Sequence, residues 1–373
     1  MFNFYVIQAE YGDCFLIETG DQSSNSSHIL IDGGPSAGYK RYLKPTLNEI
    51  CRNKIIDLVV CTHIDIDHIG GLLGLFLDIN SSKADSHKEK LKVKDLWHNS
   101  FQELLGASAH DVANVKEFLA SVEPLSYSNF EKSDTLSVMK AVGEGIELGD
   151  LAKQLSIPLN HQFKDGLAVS DKNTPSIKVG GATLKMVGPS QKNVERLRKM
   201  WKDWLAKHDK KEVNFGQYAE LVAIDRSVSN LSSIMFLMEY DEKKAIFTGD
   251  GLGSDIVEML SIKGMLNGNA KIHVDVLKVP HHGSERNVSK EFFDRITADT
   301  YIISANGRDD NPSLSTLELI IKSAHSIGNK IDILATNKTP NIEKVILKYP
   351  EEEFNYRFQV LKREDLYLRL LLN

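Results

Sequence analysis

Thr62-His63-Ile64-Asp65-Ile66-Asp67-His68-Ile69-Gly70-Gly71 closes the apolar stretch Ile56 to Thr62, which reads as a buried strand. It places four candidate metal ligands, His63, Asp65, Asp67 and His68, within six residues. In a sharp loop, residues two apart point to one side while Asp67 and His68 point to another, so one loop can serve two adjacent metal ions. Gly70 and Gly71 let the backbone turn tightly beside the ions. The bland reading is a polar turn capped by aspartates. With only 12 histidines in 373 residues, two of them flanking two carboxylates weighs against it.

Three other strings have the same form, an apolar strand ending in ligand-type side chains. Ala245-Ile246-Phe247-Thr248 runs into Gly249-Asp250-Gly251. A carboxylate there has oxygens enough to bridge two cations, although Gly-Asp-Gly by itself is usually a turn. Val276-Leu277-Lys278-Val279 runs into Pro280-His281-His282-Gly283-Ser284, where one histidine can ligate and its neighbour can bind substrate or orient the ligand. His98 ends Leu96-Trp97-His98. A lone histidine is usually structural, so its functional reading rests on the other three strings. Strand ends that converge on one site account for all four together.

Length and composition suit this reading. A chain of 373 residues is long for a single core and fits one large domain or a domain with a sizeable insertion. At 42% hydrophobic and 26% charged it is globular rather than disordered. The net charge of -6 carries no global basic signature for nucleic acid, though a local basic groove is compatible with it. Cys14, Cys51 and Cys61 form no Cys-x-x-Cys pair and read as reduced, buried thiols. The N-terminus lacks a secretory pattern, and the strongest apolar run, Ile69 to Ile79, falls short of the roughly 20 residues that span a bilayer. The expected location is the cytoplasm, with no membrane partner.

Phe2 to Gln8, Cys14 to Glu18 and His28 to Ile31 read as strands, Tyr42 to Arg52 as a helix, and Lys92 to His98 as a further strand. Ser232 to Tyr240 and Ala245 to Thr248 read as a strand pair; Val274 to Val279 and Tyr301 to Ala305 follow as strands, and Leu314 to Ile327 as a helix. The glycine pair at 70 and 71 extends the loop to Gly71, with a helix from Leu72. Hairpins first and strand–helix alternation afterwards suit packed sheets with helices outside. About 100–225 is the natural place for an insertion; it carries the basic helix Gln191 to Lys211 with Trp201 and Trp204.

These residues resemble the metallo-β-lactamase superfamily and, within it, the hydrolase domain of the ComEC competence proteins. The usual His-x-His-x-Asp-His loop becomes His-x-Asp-x-Asp-His-x-Gly-Gly in the ComEC-type variant, as residues 63–71 spell. Gly12-Asp13, Asp32-Gly33-Gly34, Phe247-Thr248-Gly249-Asp250 and Leu277-Lys278-Val279-Pro280-His281-His282-Gly283-Ser284 follow in order. The resemblance covers roughly 1–100 and 228–325. It implies an α+β fold, a four-layer αββα sandwich with a largely helical insertion. Residues 1–340 would form the hydrolase domain, with the insertion at about 100–225, and 341–373 a C-terminal extension packing on it. One metal would use His63, Asp65 and His98; the other Asp67, His68 and His281 or His282, with His281 preferred. Asp250 would bridge, and Asp67, Asp250 and His282 would be catalytic. Two departures stand out. Arg308-Asp309-Asp310-Asn311-Pro312-Ser313 lies where relatives often carry a histidine motif, and no membrane channel accompanies the hydrolase module.

Two divalent ions, Zn or Mn, about 3.5–4 Å apart would lower the pKa of a shared water and bind phosphodiester oxygens. Asp65 in place of histidine hardens the site and shifts its preference towards manganese. The expectation is a metal-dependent phosphodiesterase or nuclease, with Lys278, Ser284, Arg286 and Arg308 as candidates for holding the anionic substrate. Arg198, Lys199 and Lys202 with the two tryptophans would grip a nucleic-acid strand, unless that helix simply buries its tryptophans. The alternatives are hydrolysis of a small ester, lactone or thioester, or a non-catalytic metal-stabilised subunit of a multi-protein system, for example one acting against foreign DNA, that docks partners through the insertion. The oligomeric state is not legible.

Overall fold

The computed structural model describes residues 1–20, 26–82, 90–105, 134–207 and 231–372. Its strands are β1 (Phe2–Ile7), β2 (Phe15–Thr19), β3 (Ser27–Ile31), β4 (Ile55–Ile56), β5 (Leu58–Cys61), β6 (Lys92–Val93), β7 (Leu96–His98), β8 (Ile177–Val179), β9 (Ala182–Gly188), β10 (Met235–Tyr240), β11 (Lys243–Phe247), β12 (Ile272–Lys278), β13 (Ile296–Ile303), β14 (Ile331–Ala335), β15 (Tyr356–Val360) and β16 (Tyr367–Leu372). The longer helices are α1 (Ile66–Ser81), α2 (Asp134–Leu155), α3 (Gln191–Lys207), α4 (Gly253–Ile262), α5 (Leu314–Ser326) and α6 (Pro340–Lys348).

The two-residue period of the strands builds the layers. Along β1, Phe2, Phe4 and Val6 face one core while Tyr5 and Ile7 face another. The first sheet runs β16-β1-β2-β3-β5-β7 and the second β15-β14-β13-β12-β11-β10-β9-β8. Between them lies a core drawn from both, including Phe4, Phe15, Val60, Trp97, Phe236, Phe247 and Val276. Ile69, Leu72 and Phe76 of α1 and Leu148 and Leu151 of α2 cover the outer face of the first sheet. Leu260 of α4, Leu317 and Ile320 of α5, and Val345 of α6 cover the second. The result is a four-layer αββα sandwich, the architecture that the resemblance implies.

Both sheets are mixed, and this fixes where a site forms. The neighbours β3, β5 and β7 run parallel, as do β11, β12 and β13. The chain leaves β5, β7, β11 and β12 by their C-terminal ends into His63, His98, Asp250 and His281–His282. The backbone bond from Ile234 N to Thr62 O (2.8 Å) joins the sheets at this edge.

The structure departs from the sequence reading in three places. The helix after His63 begins at Ile66, with Asp65 as its cap residue, so Asp67 and His68 lie in the first turn. Gly70 and Gly71 do not end a loop; they allow α1 to cross the 33–36 backbone. A methyl on Gly71 would collide with the Gly33 carbonyl oxygen, and one on Gly70 would lie 2.5 Å from the Ser36 nitrogen. Within the stretch of about 100–225 expected as an insertion, Gly166 to Pro189 reads as short strands, and there β8 and β9 extend the second sheet, so that part belongs to the sandwich itself. Segment 341–373, expected as an extension packed on the domain, supplies an edge strand to each sheet, β15 and β16. The basic helix is described to Lys207; its remainder and the side chains of Trp201 and Trp204 lie outside the described residues. No helix among the described residues is long and apolar enough to cross a membrane. All three cysteines are buried free thiols.

Candidate metal centre

His281 and His282 both adopt left-handed backbone, with φ of 46° and 55°. Two successive non-glycine residues rarely do so, and the turn is held by its neighbours. His281 N donates to Gly249 O (3.1 Å), Ser284 N to His281 O (2.8 Å) and Ser313 N to Gly283 O (3.0 Å). This backbone brings both imidazoles to one carboxylate. The Nε2 atoms of His281 and His282 each lie 3.5 Å from Asp250 Oδ2. His63 Nε2 lies 3.6 Å from the same oxygen, and His68 Nε2 3.5 Å from Oδ1. Asp67 Oδ2 is 3.3 Å from His282 Nε2 and 4.0 Å from His68 Nε2, and Asp65 Oδ2 is 3.7 Å from His63 Nε2. The ligand-type atoms of Asp13, His68, Asp250 and His282, all buried, lie within 4.8 Å of one another.

The hydrogen-bond pattern fits a cation. The Nε2 atoms of His63, His68 and His282 are buried without a hydrogen-bond partner among the described residues. Their Nδ1 atoms are held from outside. His63 Nδ1 lies 3.0 Å from Thr62 Oγ1, His68 Nδ1 2.9 Å from Asp32 Oδ2, and His282 Nδ1 2.8 Å from Ser304 O. Such outer bonds fix ring orientation and leave Nε2 as the lone-pair nitrogen. An unsatisfied buried polar atom costs about 1–3 kcal/mol, so three gathered at one carboxylate mark a place built to hold something. Asp32 also accepts from Thr62 N and Thr62 Oγ1, both at 2.7 Å. Asn287 Nδ2 donates to Asp250 O (2.8 Å), and Asn287 Oδ1 lies 2.9 Å from His281 Nδ1.

The local field is strongly negative. Burial lowers the His68 pKa, but Asp250, Asp32 and Asp67 together raise it well above the ordinary value. Burial is likewise outweighed at His282, where Asp250 and Asp13 push the pKa up to about 10. Asp250, despite burial, is held well below the usual carboxylate range by His281, His282, His68 and His63.

The remaining residues singled out in the sequence lie outside the four-residue cluster of Asp13, His68, Asp250 and His282. His98 is buried at the end of β7, with Nε2 3.0 Å from Gly145 O. Lys278, read as a candidate for holding substrate, is 1% exposed, and its ammonium pairs with Asp13 and donates to Gly249 O (2.9 Å). It points inward and offers no face to a substrate. Ser284 is buried in the histidine turn and Arg286 is exposed. Arg308 is exposed, its guanidinium 4.3 Å from the centre of the Tyr11 ring. Arg198 Nε donates to Leu104 O at 2.5 Å, while Lys199 and Lys202 are exposed. Asp13, Asp32, Thr62, Asn287 and Ser304 were given no role at the site by the sequence. Asp13 and Asp32 sit in Gly12-Asp13 and Asp32-Gly33-Gly34, pieces of the resemblance without an assigned role; only the folded sheet shows both carboxylates buried.

Residues 7–150 match the family model for the metallo-beta-lactamase superfamily. ComE operon protein 3 of Bacillus subtilis (strain 168) is 36% identical over 123 residues, covering 32% of this chain and 14% of that protein's length. Two solved structures are similar at 11% identity. A mutant of the β-hydroxylase CmlA aligns with a TM-score of 0.42 over 99% of this chain and 54% of its own. A metallo-β-lactamase from Cronobacter sakazakii, mutated in its HARLDQ motif, aligns with a TM-score of 0.31 over 87% and 91%. Residues 7–150 thus carry the match to the metallo-β-lactamase superfamily, and the chain resembles the ComEC-type hydrolase within it.

Proposed function

We propose that this protein is a hydrolase dependent on two divalent metal ions, and that it cleaves phosphodiesters, with a nucleic acid as the substrate class. The observation that carries the reading is the ring of unpartnered imidazole nitrogens around Asp250 in an acidic pocket. Asp13, Asp32, Asp67 and Asp250 gather round the imidazoles of His63, His68 and His282, and Lys278 pairs with Asp13. Carboxylates gathered this closely around imidazole nitrogens suit divalent cations bound among them. Buried charge of one sign is otherwise very costly.

His63 and Asp65, with His98, would hold one ion; Asp67, His68 and a late histidine the other; Asp250 would bridge. For the late histidine we assign His282 in place of His281. His282 is buried, its Nδ1 is fixed by Ser304 O and its Nε2 lies 3.3 Å from Asp67. His281 is 31% exposed, so it is the member of the pair a substrate can reach. Bound cations of this kind supply Lewis acidity and a nucleophile at neutral pH. The protein's own part is to fix the imidazoles through Thr62, Asp32 and Ser304, and to offer the exposed Arg308 to a phosphate. The mixed oxygen and nitrogen donors suit manganese as well as zinc. The resemblance to the ComEC hydrolase supports a phosphodiester over a small ester.

Hydrolysis of bis-p-nitrophenyl phosphate against p-nitrophenyl acetate, with Mn or Zn added, tests the reading. Phosphodiester turnover is expected, falling at least about a hundredfold in Asp67→Ala and Asp250→Ala. Preferred turnover of the acetate, or full phosphodiesterase activity in both variants, would sink it.

A further inference from the structure

The short strand β7 ends in His98, and the insertion grips it residue by residue. Leu96 N donates to Pro158 O (3.0 Å) and Asn160 N to Leu96 O (2.9 Å), forming a parallel bridge between Leu96 and Leu159. His161 Nδ1 lies 3.0 Å from Asp95 Oδ1, and Trp97 Nε1 donates to Gln162 Oε1 (2.7 Å). At His98 the partner backbone gives way to a side chain. Asn160 Oδ1 accepts from His98 N (3.0 Å), and Asn160 Nδ2 donates to His98 O (2.7 Å). One buried amide thus reproduces a rung of sheet around the histidine. From the other side α2 comes close at Gly145, where an added methyl would lie 2.9 Å from Ile64 Cγ2 and 3.8 Å from His98 Nε2. The Gly145 carbonyl can only accept, so His98 carries its proton on Nε2. The lone pair is left on Nδ1, which is buried and has no hydrogen-bond partner. His63, His68 and His282 show the opposite arrangement, with Nδ1 held and Nε2 unpartnered.

We infer that the insertion is a positioning element of the metal centre, acting through Asn160 and Gly145 so that His98 meets a metal by Nδ1. This rests on the metal-centre reading above, and on no particular substrate. Asn160 is a positioning residue, touching neither metal nor substrate.

The test is metal content and affinity, measured by elemental analysis and zinc titration of the purified full chain. Wild type is expected to hold two equivalents. Asn160→Ala is expected to keep one and to bind the second about 10–100-fold more weakly, the usual effect of losing an outer support. Gln162→Ala removes a bond between the same two segments without touching His98, and is expected to keep both. Unchanged zinc binding in Asn160→Ala, or equal loss in Gln162→Ala, would overturn the inference. Should Asn160→Ala fail to fold, two-bond proton–nitrogen NMR of wild-type protein decides. The His98 proton is expected on Nε2 with and without EDTA, and the zinc-dependent shift at Nδ1; coordination through Nε2 overturns the inference. A wild-type protein that binds no zinc defeats the metal-centre reading itself, whereas a loaded wild type with an unaffected Asn160→Ala defeats only this step.

Discussion

Lys278 is a charged residue in the interior, and its surroundings explain why it can be there. Its ammonium pairs with Asp13, donates to Gly249 O and lies 3.8 Å from Asp250 Oδ1. Burial would raise the Asp13 pKa, but Lys278 and His282 hold it below the ordinary value. Removing one partner of a buried pair strands the other, at a cost of about 3–5 kcal/mol, whereas removing both is far milder. Urea denaturation of metal-free protein should therefore show Lys278→Met strongly destabilised and Asp13→Asn with Lys278→Met largely recovered. Additive single and double effects would mean the two charges do not depend on each other. At this scale the sequence was legible where candidate residues stand in strings, as at His63–His68 and His281–His282, whose imidazoles the fold brings to Asp250. It was not legible at Asp13, because a turn aspartate and a buried one are the same letter. Lys278 misled for a related reason: a lysine at a strand end normally faces water.

Glu18 shows what elements add to residues. It sits on β2 and receives bonds from Asn3 Nδ2 and Tyr5 Oη of β1, both at 2.9 Å, while His28 of β3 lies 3.7 Å away. His28 first, then Asn3 and Tyr5, hold its pKa down at about 2 against the opposing effect of burial. A carboxylate whose pKa is lower folded than unfolded stabilises above its unfolded value and loses that contribution as pH falls. The window therefore runs from about 4.5 down to about 2. Allowing for solvent screening, Glu18→Gln should cost about 1–2 kcal/mol at pH 6, and the gap to wild type should narrow by pH 3. A gap independent of pH, in urea melts across that range, would assign the loss to shape instead of charge. Elements also explain the misplaced start of α1. Glycine pairs usually break helices, yet here Gly71 N donates to Gly34 O (2.8 Å) and Gly33 N to His68 O (2.8 Å). The glycines serve a close crossing with a segment some 35 residues earlier, which no local pattern can announce.

At the scale of the molecule, the chain's two ends meet in one sheet. β16 pairs antiparallel with the whole of β1, from Phe2 opposite Leu372 to Ile7 opposite Tyr367. Leu368, Leu370 and Leu372 lie against the core between the sheets, and β15 extends the second sheet beside β14. The pairing spans the full sequence, so 341–373 looks like an appendage in one dimension and is an edge of both sheets in three. Strand order in the middle of the fold was legible because neighbours in sequence pair there, as β10 does with β11. A chain ending at Val360 would lose every partner of β1 on one side and the apolar cover of three leucines, each contributing about 1–2 kcal/mol. Set against a total stability of about 5–15 kcal/mol, that loss removes a large share of it, and it would expose β1 as an unpaired edge. The 1–360 protein is therefore expected to aggregate and to lose zinc binding, although it retains every residue assigned to the metal centre. Thermal melts and zinc content of that truncated protein check this. A soluble 1–360 protein with a wild-type melt would show that β16 lies on the sheet without holding it together.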